Sequence, residues 1–161
     1  MVQDAMEKPD DSKPASYMEL ALAVAAEAAL REEVPVGALV VDPSTGAVLG
    51  ASGNRTEELS DATAHAEMLA LREAAKTHGG VRLTGCDLYV TLEPCPMCAQ
   101  AISLARIRRL YYGASDSKGG GVAHGPAIFD QPTCHHRPEV YGGIDEVRAS
   151  HLLQDFFAAR R

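Results

Sequence analysis

The stretch Asp87–Cys98, DLYVTLEPCPMC, decides the fold. Its first six residues form an apolar, β-rich run that reads as a strand. Pro94 ends that strand, because it cannot donate to a sheet ladder. Pro96 suits the opening of a helix, which the spacing carries to about Leu104. The stretch is therefore a strand-to-helix turn. Cys95 and Cys98 stand at i and i+3 on the first helical turn, where they are neighbours. The partial positive charge at that helix end favours thiolate over thiol. A Cys-x-x-Cys pair alone fits two buried thiols, a redox pair or half of a metal site.

Reading outward, Ser16 and Glu19 form a capping box for a helix over about 17–31. Val36–Val41 reads as a buried strand, Ser44-Thr45-Gly46 as a turn and Ala47–Ala51 as the returning strand of a hairpin. Asp61 and Thr63 are candidate caps for a helix that carries His65 and Glu67 and stops at Gly79-Gly80. Arg109–Tyr112 is a fourth strand. The signal then weakens. Gly119-Gly120-Gly121 marks a loop, a short helix is expected near Pro126–Phe129, Gln131–Pro138 is another loop and Val140-Tyr141 a brief strand. Ile144–Arg161 reads as a helix with Val147, Leu152, Leu153, Phe156 and Phe157 as apolar candidates. Strands alternating with helices predict a layered α/β domain, and the opening hairpin makes its sheet mixed.

At 161 residues, 46% of them hydrophobic, the chain is expected to form one domain with a real core. Residues 1–15 read as a flexible acidic arm and 16–161 as the folded domain. The start lacks the basic and apolar segments of a signal peptide, and no run approaches a membrane span. The expectation is a cytoplasmic protein with no membrane association, whose reduced thiols serve metal or catalysis. The net charge of −7 argues against a strongly electrostatic nucleic-acid binder. Five of those seven negative charges lie within residues 1–33, so the body is nearly neutral. Arg106, Arg108 and Arg109 form one basic cluster and Arg160 and Arg161 another; both read as solvated surface unless RNA covers them.

His65 turns the cysteine pair into a metal hypothesis. Successive helices of an α/β domain start at one edge of the sheet, which brings His65 toward Cys95 and Cys98. One imidazole and two thiols are three of the four ligands zinc takes, and a catalytic site leaves the fourth place open for water. Such a zinc lowers the pKa of bound water toward about 7. Glu67 is the candidate proton shuttle. Residues i and i+2 do not share a helix face, so Glu67 reaches the site only if the site sits against the helix's N-terminal end. Cys134, His135 and His136 lack a well-spaced fourth ligand for a second metal, and Cys86 reads as a small buried residue.

His65-Ala66-Glu67 with Pro94-Cys95-Pro96-Met97-Cys98 is the known signature of zinc-dependent nucleobase deaminases. More narrowly, the chain resembles the bacterial tRNA adenosine deaminases, which convert the wobble adenosine of the anticodon to inosine. The resemblance runs from about Tyr17 to Arg161. It includes Val34–Ala38, Gly53-Asn54-Arg55, Thr63–Glu67, Leu88–Cys95, Arg106-Ile107 and Asp155-Phe156-Phe157. It implies one zinc per subunit on His65, Cys95 and Cys98, with Glu67 moving protons. It also implies that Asn54 holds the target base, that Asp116 and Lys118 lie in a loop touching the RNA, that His136 lies in another substrate loop, and that Phe156 lies in a terminal helix against the anticodon. The implied fold is a cytidine-deaminase-like α/β/α sandwich with a five-stranded mixed sheet. The implied assembly is a homodimer binding a tRNA anticodon stem-loop. The chain departs from that pattern in its longer acidic arm, its extended turn at Asp42–Gly46, His135 where relatives often carry Asn, and its end at Arg161, where some continue into a basic tail.

Two other readings share parts of this set. A deaminase of a free base or nucleotide, such as guanine or cytosine, would use the same catalytic residues. A non-catalytic zinc-stabilised binding module would not need Glu67.

Overall fold

Residues on three strands alternate between two apolar cores, and that alternation sets the architecture. The computed structural model describes residues 17–161, so the Ser16 cap and the arm lie outside the described residues. Strand β1 (Gly37–Asp42) sends Ala38 and Val40 to one core and Leu39 and Val41 to the other. Leu88 and Val90 oppose Tyr89 in the same way on Asp87–Leu92, as do Leu110 and Tyr112 against Tyr111 on Arg109–Ala114.

One core is closed by Ala66, Ala70, Leu71, Ala74, Ala99 and Ile102, from helices Ala66–His78 and Pro96–Leu104. The other is closed by Met18, Ala21 and Leu22 from a helix over residues 17–30, and by Ala149 from the helix Glu146–Ala158. These helices are α1 (17–30), α2 (Ala66–His78), α3 (Pro96–Leu104) and α4 (Glu146–Ala158). With β2 (Ala47–Gly53), β3 (Asp87–Leu92), β4 (Arg109–Ala114) and β5 (Glu139–Tyr141), the sheet runs β2-β1-β3-β4-β5. β1 is antiparallel to β2 and β3, while β3, β4 and β5 are parallel. The expected three-layer α/β/α domain with a five-stranded mixed sheet is what the chain forms.

The sequence expectations need local correction. Asp61 does not cap α2. Its carboxylate accepts from the Thr63 backbone N–H at 2.8 Å and the Thr63 hydroxyl at 2.7 Å, folding the approach loop on itself. His65 then occupies the cap position, one residue ahead of the helix rather than within it. The short helix expected near Pro126–Phe129 is a single 3-10 turn, Ile128–Asp130. Helix α4 is shorter than 144–161, because the N–H groups of Gly143 and Ile144 are still bonded to the carbonyls of Gly113 and Tyr112. Of its apolar candidates Phe156 is buried, whereas Val147 is 64% and Phe157 47% exposed.

Two features bear on the site. β1 and β2 slip register between Val40 and Val41, pairing Val40 with Gly50 and Val41 with Val48, so β2 carries a bulge. Beside it, α2 lies directly on Gly50: a Cβ there would stand 2.3 Å from the Ala70 carbonyl oxygen. On the α1/α4 face, the parallel register stacks Tyr89 on Tyr111 and Tyr111 on Tyr141, with centroids 4.5 and 5.2 Å apart. Gly50→Ala should therefore push α2 off the sheet and cost about 1–3 kcal/mol, read as a lower urea midpoint; a wild-type midpoint would refute that seating.

Candidate metal centre and active site

Helices α2 and α3 begin beside one another. His65 and Cys95 are their N-caps, both extended, with ψ of 152° and 171°, and neither side chain caps its helix. Their side chains are thus free to turn toward each other. His65 Nδ1 lies 3.6 Å from Cys95 Sγ and 3.5 Å from Cys98 Sγ, and one ligand atom from each of the three residues falls within 4.8 Å of the others. Tetrahedral zinc, with bonds of about 2.3 Å to sulfur and about 2.0 Å to nitrogen, holds N and S roughly 3.5 Å apart. The donor set and its spacing fit zinc. Among the described residues this is the cluster with metal-ligand spacing, and Cys134, His135 and His136 do not form a second. Cys134 instead bonds the His136 carbonyl at 3.2 Å.

Because the cluster sits against the α2 terminus, Glu67 reaches it despite the i, i+2 spacing. Glu67 is 4% exposed. Burial raises its carboxyl above the usual range, while its hydrogen bond with Cys98 pulls the other way. The Cys98 hydrogen bond, reinforced by His65, lowers Cys95 to about 4, and the Cys95 thiolate together with burial pushes Cys98 up. The hydrogen bond to Cys95 and the charge of Glu67 raise the His65 imidazole.

The cluster opens into a cleft of about 320 Å³ whose walls include Val36, Asn54, Glu67, Leu92, Asp116 and Gly119. Asn54 is buried in it, its Nδ2 3.3 Å from Thr56 Oγ1 and 3.5 Å from Glu33 Oε1. Asp116 also lines the cleft and accepts from the N–H groups of Lys118 and Gly119 at 3.1 and 2.8 Å. Lys118, His136 and Phe156 lie off the cleft wall. Lys118 is exposed beside it. His136 Nε2 donates to the Ile107 carbonyl at 2.7 Å. Phe156 is buried beneath the Arg160 guanidinium, 3.4 Å from its ring centre.

Two buried acids, to which no motif assigns a role, shape the cleft. Glu33, 1% exposed, accepts the backbone N–H groups of Glu57 and Glu58 at 3.1 and 2.8 Å and so ties down the loop after Asn54. Glu93, 2% exposed, accepts from the N–H groups of Asp116, Val122, Ala123 and His124 and from the His124 ring. The glycine triplet at 119–121 is the available clue, because Gly120 leaves the room that the Glu93 carboxylate fills: a Cβ there would stand 2.3 Å from Glu93 Oε2. Arg108 and Arg109 are engaged by Asp87 and Glu139 rather than free for phosphate.

The sequence profile of the cytidine and deoxycytidylate deaminase zinc-binding region matches residues 11–114. The chain belongs to this family of zinc-dependent deaminases. Its nearer relatives narrow the placement. It is 57% identical to the tRNA-specific adenosine deaminase of Agrobacterium fabrum over 145 residues, 90% of this chain and 94% of that one. A solved structure from studies of A-to-I editing by tRNA:A34 deaminases shares 57% identity at a TM-score of 0.83, over 86% of this chain and 99% of that one. Guanine deaminase of Nitrosomonas europaea superimposes at 0.79 with 22% identity, over 90% and 85%, a likeness of fold alone. Within the family, the chain is a member of the tRNA-specific adenosine deaminases.

Burial alone would raise the Glu93 carboxyl, but the hydrogen bonds from Asp116, His124, Ala123 and Val122 outweigh it and hold the group below its ordinary 4.5. A depressed carboxyl contributes stability that is fully present above 4.5 and lost as pH falls through the lower native value. Thermal melts from pH 6 down to about 3 should show this loss in the wild type, and Glu93→Gln should be less stable at pH 6 with a flatter acid limb; parallel curves would remove Glu93 from the linkage.

Proposed function

We propose that the protein deaminates the wobble adenosine of a tRNA anticodon to inosine, releasing ammonia. One observation carries this reading: a His-Cys-Cys donor set at zinc spacing, with the buried carboxyl of Glu67 against it, at the floor of a cleft in a chain 57% identical to a tRNA-specific adenosine deaminase. His65, Cys95 and Cys98 would hold the zinc. Bound there, zinc supplies a nucleophilic water at neutral pH and a positive charge near the reacting carbon.

The chain's own residues supply the rest. Glu67 accepts one proton from the attacking water and delivers it to the ring nitrogen; it then takes the second proton, from the hydroxyl added to the carbon, and passes it to the amine, so that the carbonyl forms as the carbon–nitrogen bond breaks and ammonia leaves. Its burial suits this work, because a carboxyl raised toward neutrality both takes and gives protons readily. The Asn54 amide, whose Nδ2 donates to Thr56 and Glu33, leaves its Oδ1 to accept from the edge of the base. Val36 and Leu92 give the cleft apolar walls that exclude bulk water. The base must leave the anticodon stack to enter, which an unpaired loop makes inexpensive. Asp116, Lys118, His136 and Phe156 belong to this reading as RNA contacts. Asp116 has the direct support of lining the cleft, whereas His136 and Phe156 would act from outside it.

No described helix is long and apolar enough to cross a membrane. A homodimer working in the cytoplasm completes the proposal; analytical ultracentrifugation of the purified protein tests the dimer.

Purified protein should form inosine in an anticodon stem-loop and leave free guanine, cytosine and adenosine untouched. Turnover of guanine or cytosine without inosine in the RNA would favour a free-base deaminase. Glu67→Ala should keep its zinc by metal analysis and lose about 10²–10⁴ in kcat. Loss of the metal, or unchanged turnover, would contradict the shuttle and favour a purely zinc-stabilised module.

A further inference from the structure

Glu93 is a buried carboxylate outside the proton chemistry, with five hydrogen bonds converging on it. Oε1 accepts from the Asp116 N–H at 3.0 Å and from His124 Nδ1 at 2.8 Å. Oε2 accepts from the N–H groups of Val122, Ala123 and His124 at 3.3, 3.0 and 3.1 Å. The donors span one loop, residues 116–124, which leaves β4 and returns past the metal turn. The acceptor belongs to the metal turn, since Glu93 directly follows β3 and stands two residues before Cys95. Glu93 therefore fills a nest of backbone donors that would otherwise attract an external anion.

The loop is built around that carboxylate. A Cβ on Gly120 would lie 2.3 Å from Glu93 Oε2 and 2.5 Å from the Asp116 carbonyl oxygen, so no larger residue fits there without displacing the loop. The Gly121 N–H is anchored on the Pro94 carbonyl at 2.8 Å, on the same turn. Asp116 and Gly119, which form one wall of the cleft, are the part of the loop thereby located. A buried carboxylate with most of its lone pairs occupied is stiff, and charge-assisted bonds to backbone N–H are the strong kind.

We propose that Glu93 is a positioning residue for substrate: it fixes the 116–124 loop against the metal turn and so sets the cleft wall that receives the RNA around the target base. This rests on the RNA-deaminase reading given above. Glu93 acts through the loop, and neither holds the metal nor moves the proton.

The test compares wild type, Glu93→Gln, Gly120→Ala and the double variant. Each is assayed for zinc content, for steady-state inosine formation in an anticodon stem-loop, and for amide hydrogen exchange of residues 116–124. Gly120→Ala crowds the same nest from the loop side while leaving the carboxylate in place, so it keeps the test usable if Glu93→Gln fails to fold. Either single change should raise KM for the RNA about tenfold with kcat altered less than about threefold, speed exchange in 116–124, and leave the zinc bound. In the double variant the KM effects should not multiply, because both changes break one contact. Unchanged KM, multiplied effects, or loss of zinc from the single variants would each overturn the proposal. A wild type that forms no inosine would sink the RNA reading instead, and the exchange measurement would still decide whether Glu93 holds the loop.

Discussion

Two helices start at one point, and the rest of the molecule serves that meeting. N-cap positions favour Ser, Thr, Asp or Asn, whose oxygens satisfy free N–H groups at about 1 kcal/mol each. Here α2 and α3 have His65 and Cys95 at their caps, and neither makes a capping bond. Both helices forgo local stability so that an imidazole and a thiol can face a shared metal. Cys98, at the third helical position of α3, completes the triad from the same turn. Metal affinity and folding are coupled in such a site, because the ligands come from segments thirty residues apart that only the fold brings together.

The sheet makes that meeting possible. β3 leads directly into the Cys95 turn, while α2 is seated on the bulged hairpin through the close approach at Gly50. Two loops that contribute to the cleft wall are then secured by buried carboxylates. Glu33 holds the loop behind Asn54, and Glu93 holds the loop behind Asp116. Backbone N–H groups left in such loops need partners, and an internal anion satisfies several at once. The chain's negative charge is thus partly architectural and not simply a solvated surface.

What could be read beforehand followed the range of the interaction. Strand alternation in Val36–Val41 and Asp87–Leu92 is a local pattern, and both strands lie where the pattern puts them, within a residue at each end. The triad was readable because the ligand spacing Cys95-x-x-Cys98 is itself local and because successive helices of an α/β domain start at one sheet edge, which brings His65 to it. Asp61 was misread because an Asx turn and a helix cap use the same carboxylate-to-N–H chemistry, and which one forms depends on where the next turn begins. Val147 and Phe157 follow helical spacing yet are exposed, because apolar periodicity alone does not say which of those residues meets the sheet. Glu33 and Glu93 were hidden for the strongest reason: their partners lie more than twenty residues away, and an acid looks solvated until its donors are known.

The chain has no tryptophan, and Tyr89, Tyr111 and Tyr141 lie ring on ring across three adjacent strands. β5, only three residues long, ends that column with a half-exposed phenol. The near-ultraviolet dichroism of the protein is therefore dominated by one coupled set of chromophores, and fraying of the sheet's outermost strand carries an optical signature without any label.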